Sequence, residues 1–210
     1  MEILKTLLSH GLSGYAIVLT AVALVIIALD RLNYLYLQVV YSVEAEMQLA
    51  KKDILNRKYN DAIQVCNRQP LSPELIVIKE GLLALDSGRE AMNSALTSAV
   101  LRVNRNCENR VSFLSLIASS ATLIGLFGTI MGLMVTFQGL SGANPEEKGR
   151  LLGLGISEAM NSTAAGVIVG VVAMALHTIC VSRTDSIVAK SQDAALQLVK
   201  WIEQAERKLD

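Results

Sequence analysis

Glu158 lies inside a long apolar segment, where a carboxylate is unusual. It is the only Asp, Glu, Lys or Arg between Leu151 and Ser182. A carboxylate in a membrane span is costly unless it is protonated, paired or facing water, so Glu158 is a candidate ion-carrying group. The alternative is a position near the start of a helix, where the helix dipole and interfacial water stabilise negative charge.

Polar residues close to Glu158 support a functional role for this segment. Asn161 and Ser162 follow Glu158 by three and four residues and should share its helix face. Thr163 should lie about 140° around the helix, so polar groups are expected on two sides. His177 is too far along the helix for a direct proton relay with Glu158, and a packing or interfacial position is favoured for it.

A second apolar segment carries hydroxyl groups at regular spacing. Ser115, Thr122, Thr129 and Thr136 recur every seven residues, which predicts a stripe that drifts by about 20° per step along one helix face. Pore lining and hydrogen bonding within or between helices explain this stripe equally well. Gly128 and Gly132 in the same segment have the small-xxx-small spacing of closely packed membrane helices.

Composition determines the class of protein that holds these residues. Hydrophobic residues make up 52% of the 210-residue chain, and 19 basic side chains balance 19 acidic ones. We therefore predict an all-α membrane protein with three transmembrane helices and no nucleic-acid partner. The cysteines lack metal-ligand spacing and no hydrolase or nucleotide-binding motif occurs, so neither an enzyme nor a resident cofactor is expected.

The predicted organisation follows the apolar runs and the charge distribution. It comprises an outer N-terminal segment at 1–11, a first span at 12–32, a cytoplasmic helical domain at 33–110, a second span at 111–138, an outer loop at 139–153, a third span at 154–182 and a cytoplasmic C-terminal helix at 183–210. Sixteen Lys and Arg fall between Asp30 and Arg110 or after Ser182, and three fall in the N-terminal segment and the outer loop, which predicts that the N-terminus lies outside and the C-terminus in the cytoplasm.

Local signals divide the cytoplasmic domain into helices. Residues 33–68 have the apolar spacing of one helix, which should end before Pro70. Ser72-Pro73-Glu74 is a strong helix start, and the helix it begins should end at Asp86-Ser87-Gly88. No proline occurs between Arg89 and Leu140, so one helix is expected to run into the second span. A turn is predicted at 141–145, and the third span should continue as helix to Leu209.

Two motifs resemble those of the MotA/TolQ/ExbB proton-channel family. The motifs are Gly125-Leu126-Phe127-Gly128-Thr129-Ile130-Met131-Gly132 in the second span, and Gly155-Ile156-Ser157-Glu158-Ala159-Met160 with Thr163-Ala164-Ala165-Gly166 in the third. Three spans in a short chain resemble the TolQ/ExbB branch of that family. The chain departs from the common family pattern at Thr122 and Val172, where many members have proline. This departure predicts straighter helices.

The resemblance implies a pentameric assembly around two copies of a single-span partner of the ExbD/TolR/MotB kind, in the bacterial inner membrane. It implies an ion pathway at Glu158, Thr129 and Thr163. Pore lining or partner contact is expected at Ser115, Thr122, Thr136, Asn161 and Ser162, and helix packing at Gly125, Gly128, Gly132 and Gly166. The transported ion is H⁺ or Na⁺, since hydroxyl and carboxylate oxygens could serve either.

The expected function is an ion-conducting stator or motor subunit, which uses the ion gradient to drive mechanical work through the partner. The alternative is a structural membrane scaffold in which the glycines and threonines only pack helices. A self-sufficient transporter is disfavoured, because the two halves of the sequence show no internal repeat. The sequence leaves open whether the work is import, envelope maintenance, gliding or swimming.

Overall fold

The computed structural model describes residues 11–39, 43–141 and 144–207, and every regular element in these ranges is a helix. The helices are α1 (Gly11–Leu32), a π-helical segment (Asn33–Gln38), α2 (Glu44–Leu55), α3 (Tyr59–Asn67), α4 (Pro73–Ala84), a 3₁₀ turn (Leu85–Ser87), α5 (Arg89–Glu108), α6 (Val111–Leu140) and α7 (Pro145–Arg207). The all-α prediction is confirmed. The predicted outer segment 1–11 lies outside the described residues except for Gly11.

Three helical stretches among the described residues are long and apolar enough to cross a membrane. They are Gly14–Tyr36, Arg89–Leu140 and Pro145–Arg207. Each contains one of the three predicted spans, so the prediction of three membrane-spanning helices is confirmed.

The chain divides into two compact units. The first, here called the membrane unit, comprises the described residues of 1–30 and 110–179. In it, α1 buries Ile17, Leu24 and Ala28, whose spacing of seven and four residues forms one helix face. An ion pair joins Arg110 to Asp30, with 3.3 Å between Nη1 and Oδ2.

The second unit, here called the extramembrane unit, comprises the described residues of 31–109 and 180–210. Its core contains large apolar side chains from α2, α4 and the last part of α7, which are Ile54, Leu75, Ile78, Leu198 and Ile202. The start of α4 has the predicted cap, because the Leu75 amide donates to Ser72 Oγ at 3.5 Å and Pro73 is the first helical residue. The helical segment that begins with α4 ends at Gly88, which has φ 104°, as predicted.

The single helix predicted over residues 33–68 is wrong. Helix α2 ends at Leu55, and Arg57 adopts a left-handed conformation with φ 60° before α3 begins. The Lys58 amide donates to the Asp53 carbonyl at 2.9 Å and the Arg57 amide donates to the Ile54 carbonyl at 2.9 Å. This pair of bonds is a Schellman helix ending, in which arginine occupies the position that glycine usually takes.

The continuous helix predicted from Arg89 to Leu140 is also interrupted. Helix α5 ends at Glu108, Asn109 has ψ 130°, and Arg110 is left-handed with φ 65°. Most of the predicted outer loop 139–153 is helical instead, because α6 ends at Leu140 and α7 begins at Pro145. Within the predicted turn, residues 142 and 143 lie outside the described residues. Helix α7 continues unbroken from the third span to Arg207, as predicted, and Leu209 lies outside the described residues.

Candidate functional site

Small residues form the contact between α6 and α7 in the membrane unit. Between Gly155 and Gly170 the buried residues of α7 are Gly155, Ala159, Ser162, Gly166 and Gly170, which follow one another by three or four residues and define what we call the seam. A Cβ atom built on Gly166 would lie 2.8 Å from Gly125 Cα and 2.6 Å from the Ala121 carbonyl oxygen. The two backbones therefore touch, as small residues at a membrane helix interface allow.

The glycines predicted to pack helices lie at or near this contact. Gly125 and Gly128 are buried, and Gly132 faces Ala159, whose Cβ would lie 3.4 Å from a Cβ built on the glycine. Gly155 and Gly170 were not singled out by sequence reasoning. Their signal lay in their register with Ala159, Ser162 and Gly166, which places small residues along one side of a helix.

Thr163 provides a hydrogen bond between the two helices. Its Oγ1 donates to the Gly125 carbonyl at 3.1 Å, and the side chain is partly buried. The close approach at Gly125 and Gly166 makes this bond possible, since a larger residue at either position would separate the donor from the carbonyl.

The threonines of the predicted stripe donate to carbonyls of their own helix. The distances are 3.1 Å from Thr122 to Ala118, 2.6 Å from Thr129 to Leu126 and 2.7 Å from Thr136 to Gly132. Ser115 is half-buried, and its carbonyl accepts a hydrogen bond from the Ser119 hydroxyl at 3.2 Å.

Two of these threonines also fill notches in α7. A Cβ built on Gly170 would lie 2.6 Å from Thr122 Oγ1, and one built on Gly155 would overlap the Thr136 side chain. Thr122 and Thr136 therefore pack against the third span of the same chain. The sequence left pore lining and helix contact open for the stripe, and these contacts support helix packing for Thr122 and Thr136.

Glu158 is exposed on α7, outside the buried seam. Glu158 and Asn161 are exposed, whereas the adjacent Ala159 is only 3% exposed. Ser157, which sequence reasoning did not select, is exposed beside them. We call Ser157, Glu158 and Asn161 the polar face.

Ser162 does not share this polar face, although its spacing from Glu158 predicted that it would. It is only 2% exposed, and its hydroxyl donates to the Glu158 backbone carbonyl at 3.5 Å. The expectation of polar groups on two sides of the third span fits this arrangement, with Ser162 and Thr163 towards α6 and Glu158 and Asn161 away from it.

The chemistry available on the polar face is that of oxygen ligands and one carboxylate. Carboxylate, hydroxyl and amide oxygens bind protons or hard cations. No cluster of three or more His, Cys, Asp or Glu side chains occurs among the described residues. An exposed carboxylate on a membrane span is costly against hydrocarbon, which implies that water or another protein covers this face.

Known proteins are similar to this chain in sequence and in fold. The sequence model of the MotA/TolQ/ExbB proton channel family matches residues 70–193. The Tol-Pal system protein TolQ of Haemophilus influenzae is 39% identical over 80 residues, which are 38% of this chain and 35% of that protein. The C. jejuni MotAB structure is similar in fold, with a TM-score of 0.63 at 15% identity over 94% of this chain and 82% of that one.

The fold and the seam define a membrane protein in which two spans pack closely and one carries an exposed carboxylate. The family match covers more than half of the chain and includes α6, the polar face and Thr163. The chain belongs to the MotA/TolQ/ExbB proton channel family. The chain matches about a third of the length of the curated TolQ relative.

Proposed function

We propose that this chain is an ion-conducting motor subunit of the bacterial inner membrane, which couples a proton or sodium gradient to mechanical work through a single-span partner of the ExbD/TolR/MotB kind. The observation that carries this proposal is the position of Glu158, which is exposed on a membrane span, outside the buried seam. A carboxylate on a membrane span bears a desolvation cost, which ion transfer explains and a scaffold role does not.

The ion pathway in this proposal consists of Glu158, Thr129 and Thr163. Glu158 attracts the cation and can bind a proton. Thr129 and Thr163 each donate their hydroxyl hydrogen to a backbone carbonyl, which leaves the oxygen lone pairs able to face an ion or water. Asn161 and Ser157 add polar atoms beside the carboxylate. Each charge that crosses 100 mV supplies about 2.3 kcal/mol for work.

The assembly in this proposal is a homopentamer around two partner helices. One subunit then contributes one fifth of the pore wall, and the polar face of α7 is covered by water, the partner or the neighbouring subunit. The proposed orientation has the N-terminus outside and the C-terminus in the cytoplasm, as the distribution of Lys and Arg indicates.

The competing function is a membrane scaffold without ion conduction. The packing of Thr122 and Thr136 into glycine notches favours it for those two residues, because their hydroxyls are explained without a pore. It does not explain why a carboxylate occupies the exposed position of Glu158 on the third span.

Partner-dependent ion flux distinguishes the two functions. The chain is reconstituted in vesicles with a single-span protein of the ExbD/TolR/MotB kind, and proton and sodium fluxes are measured for the wild type, Glu158→Gln and Glu158→Ala. Glu147→Gln is a matched control, since Glu147 lies exposed in the first turn of the same helix. Flux should fall to the level of protein-free vesicles for both Glu158 variants and persist in the control, while size-exclusion chromatography shows intact assembly. Full flux in Glu158→Gln would contradict the proposal.

A further inference from the structure

Arg183, at the end of the third span, has no acidic partner among the described residues. It is the first charged residue after Glu158, so it marks the end of the apolar part of α7. No described carboxylate forms an ion pair with it, and its Nε is buried without a hydrogen-bond acceptor among the described residues. A buried guanidinium donor that lacks an acceptor is unfavourable, and no described carboxylate neutralises the charge of this half-buried arginine.

Tyr36 orients this arginine. The Arg183 guanidinium carbon lies 5.2 Å from the centre of the Tyr36 ring, which is within the range of cation–π attraction. Tyr36 is the last residue of the first apolar stretch and is 45% exposed. Tyrosines concentrate at membrane interfaces, where the ring meets lipid and the hydroxyl meets water. The Arg183–Tyr36 pair therefore combines the end of one span with the end of another.

Arg31, in the same unit, is an arginine whose guanidinium is hydrogen-bonded within the protein, and it differs from Arg183 in this respect. Its guanidinium carbon also lies 5.2 Å from a tyrosine ring, that of Tyr34. Unlike Arg183, however, its Nη1 donates to the Asn109 carbonyl at 2.7 Å, and the residue is only 7% exposed. Arg31 has a structural role at the end of α5, whereas Arg183 is half-buried and keeps its charge available.

We infer that Arg183 and Tyr36 form a binding site for the phosphate of an anionic phospholipid headgroup in the inner leaflet. A planar guanidinium can donate two parallel hydrogen bonds to one phosphate, and basic sites beside membrane helices on the cytoplasmic side bind anionic headgroups. The inference rests on the proposed orientation, which places this end of α7 on the cytoplasmic side. Free phosphate has the same charge chemistry, so the test separates the two sources.

The test is lipid binding to the purified full chain in detergent, measured by native mass spectrometry and by the thermal unfolding midpoint. The probes are phosphatidylglycerol, phosphatidylethanolamine and inorganic phosphate. Phosphatidylglycerol should bind and raise the midpoint more than the other two. Arg183→Gln should weaken its binding about fivefold, the effect of one cation at a membrane surface. Lys190→Gln, which removes an exposed charge seven residues further along α7, should bind as the wild type does.

Two further variants keep the test informative if Arg183→Gln folds poorly. Arg183→Lys keeps the charge and should retain part of the preference for phosphatidylglycerol, and Tyr36→Leu should lose part of it because the arginine is no longer oriented. Equal binding by wild type and Arg183→Gln would overturn the inference. Equal stabilisation by inorganic phosphate would identify a soluble anion instead, and equal binding of phosphatidylethanolamine would exclude recognition of charge. None of these measurements depends on ion flux, so failure here is distinct from failure of the motor function.

Discussion

The seam of the membrane unit and the core of the extramembrane unit each contain a buried glycine, and the surroundings of the two glycines differ. A Cβ built on Gly166 would lie 2.6 Å from the backbone oxygen of Ala121. A Cβ built on Gly81 would lie 2.6 Å from Leu96 Cδ2 and 2.7 Å from Leu198 Cδ2, which are the ends of flexible side chains. The contact between α6 and α7 in the membrane unit brings backbone against backbone, whereas the core of the extramembrane unit is packed by large apolar side chains.

This difference follows from the solvent of each unit. In water, burying leucine and isoleucine supplies the driving force for folding. In a bilayer the lipid is as apolar as leucine, so helices associate through close contact and interhelical hydrogen bonds. The seam meets this requirement with glycine, alanine and the bond from Thr163 to the Gly125 carbonyl. The seam should therefore accept added side-chain volume less well than the extramembrane core. Substitutions that add a methyl group should cost more stability in the seam.

The largest effect is expected for Gly166→Ala. The added methyl group meets backbone, so α6 and α7 must separate, and we expect a loss of about 2 kcal/mol from the free energy of unfolding despite the better helix propensity of alanine. Gly153→Ala is the matched control on the same helix, because nothing lies within 4 Å of its added Cβ. Thermal unfolding in detergent and recovery of the assembled protein measure both. Equal stability of the two variants would show that the backbones do not touch.

The sequence predicts the spans and the α4 start well because their signals are local. An uninterrupted apolar run and the Ser72-Pro73 pair need no distant partner to be interpreted. The two missed breaks differ in this respect. Arg57 takes a left-handed conformation while its guanidinium donates to the Ala205 carbonyl at 3.2–3.3 Å, and left-handed Arg110 pairs with Asp30. These contacts span 148 and 80 residues and stabilise conformations that neither side chain favours alone.

In the candidate site, too, local features were predictable from the sequence and long-range contacts were not. Glu158 stands out by its charge in an apolar run, and its spacing indicates which residues share a helix face. Which residues of α7 contact α6 depends on how the two helices pack, and the spacing within α7 does not specify this. The sequence therefore could not place Ser162 in the seam or match Thr136 to Gly155.

Raising the pH should destabilise the extramembrane unit through one buried thiol. Cys66 is buried, and burial raises the pKa of its thiol to about 11 although Lys79 partly offsets this. The folded state favours the neutral thiol, so its stabilising effect is complete below the unfolded pKa of about 8.5 and is lost as pH rises towards 11. The seam, made of glycine, alanine and serine, has no titratable side chain to respond.

Thermal midpoints of the wild type and Cys66→Ala between pH 7 and 11 measure this effect. The wild type should lose stability more steeply than the variant above pH 8.5, which isolates the thiol from every other group. Parallel curves would show that the Cys66 thiol ionises as easily in the folded protein as in the unfolded one.

The interhelical bond in the seam should contribute about 1 kcal/mol. Thr163→Val removes the donor while keeping the shape, and the Gly125 carbonyl then loses one partner. Thr163→Ser keeps the donor and is the matched control. Hydrogen–deuterium exchange of the peptides that cover α6 and α7 should accelerate in the valine variant and remain near the wild-type rate in the serine variant. If both exchange alike, the hydroxyl does not join the helices.

The smallest effect is expected for Gly81→Ala, the counterpart of Gly166→Ala. The new methyl group meets the ends of Leu96 and Leu198, which can move by changing side-chain torsions, and alanine gains about 1 kcal/mol over glycine inside a helix. The gain offsets much of the repacking cost, so the free energy of unfolding should stay within about 1 kcal/mol of the wild type. Thermal unfolding measured beside Gly166→Ala under the same conditions tests the contrast directly. A loss as large as that of Gly166→Ala would mean that the leucine core accepts an added methyl group no better than the seam does. The proposed difference between the two regions would then be wrong.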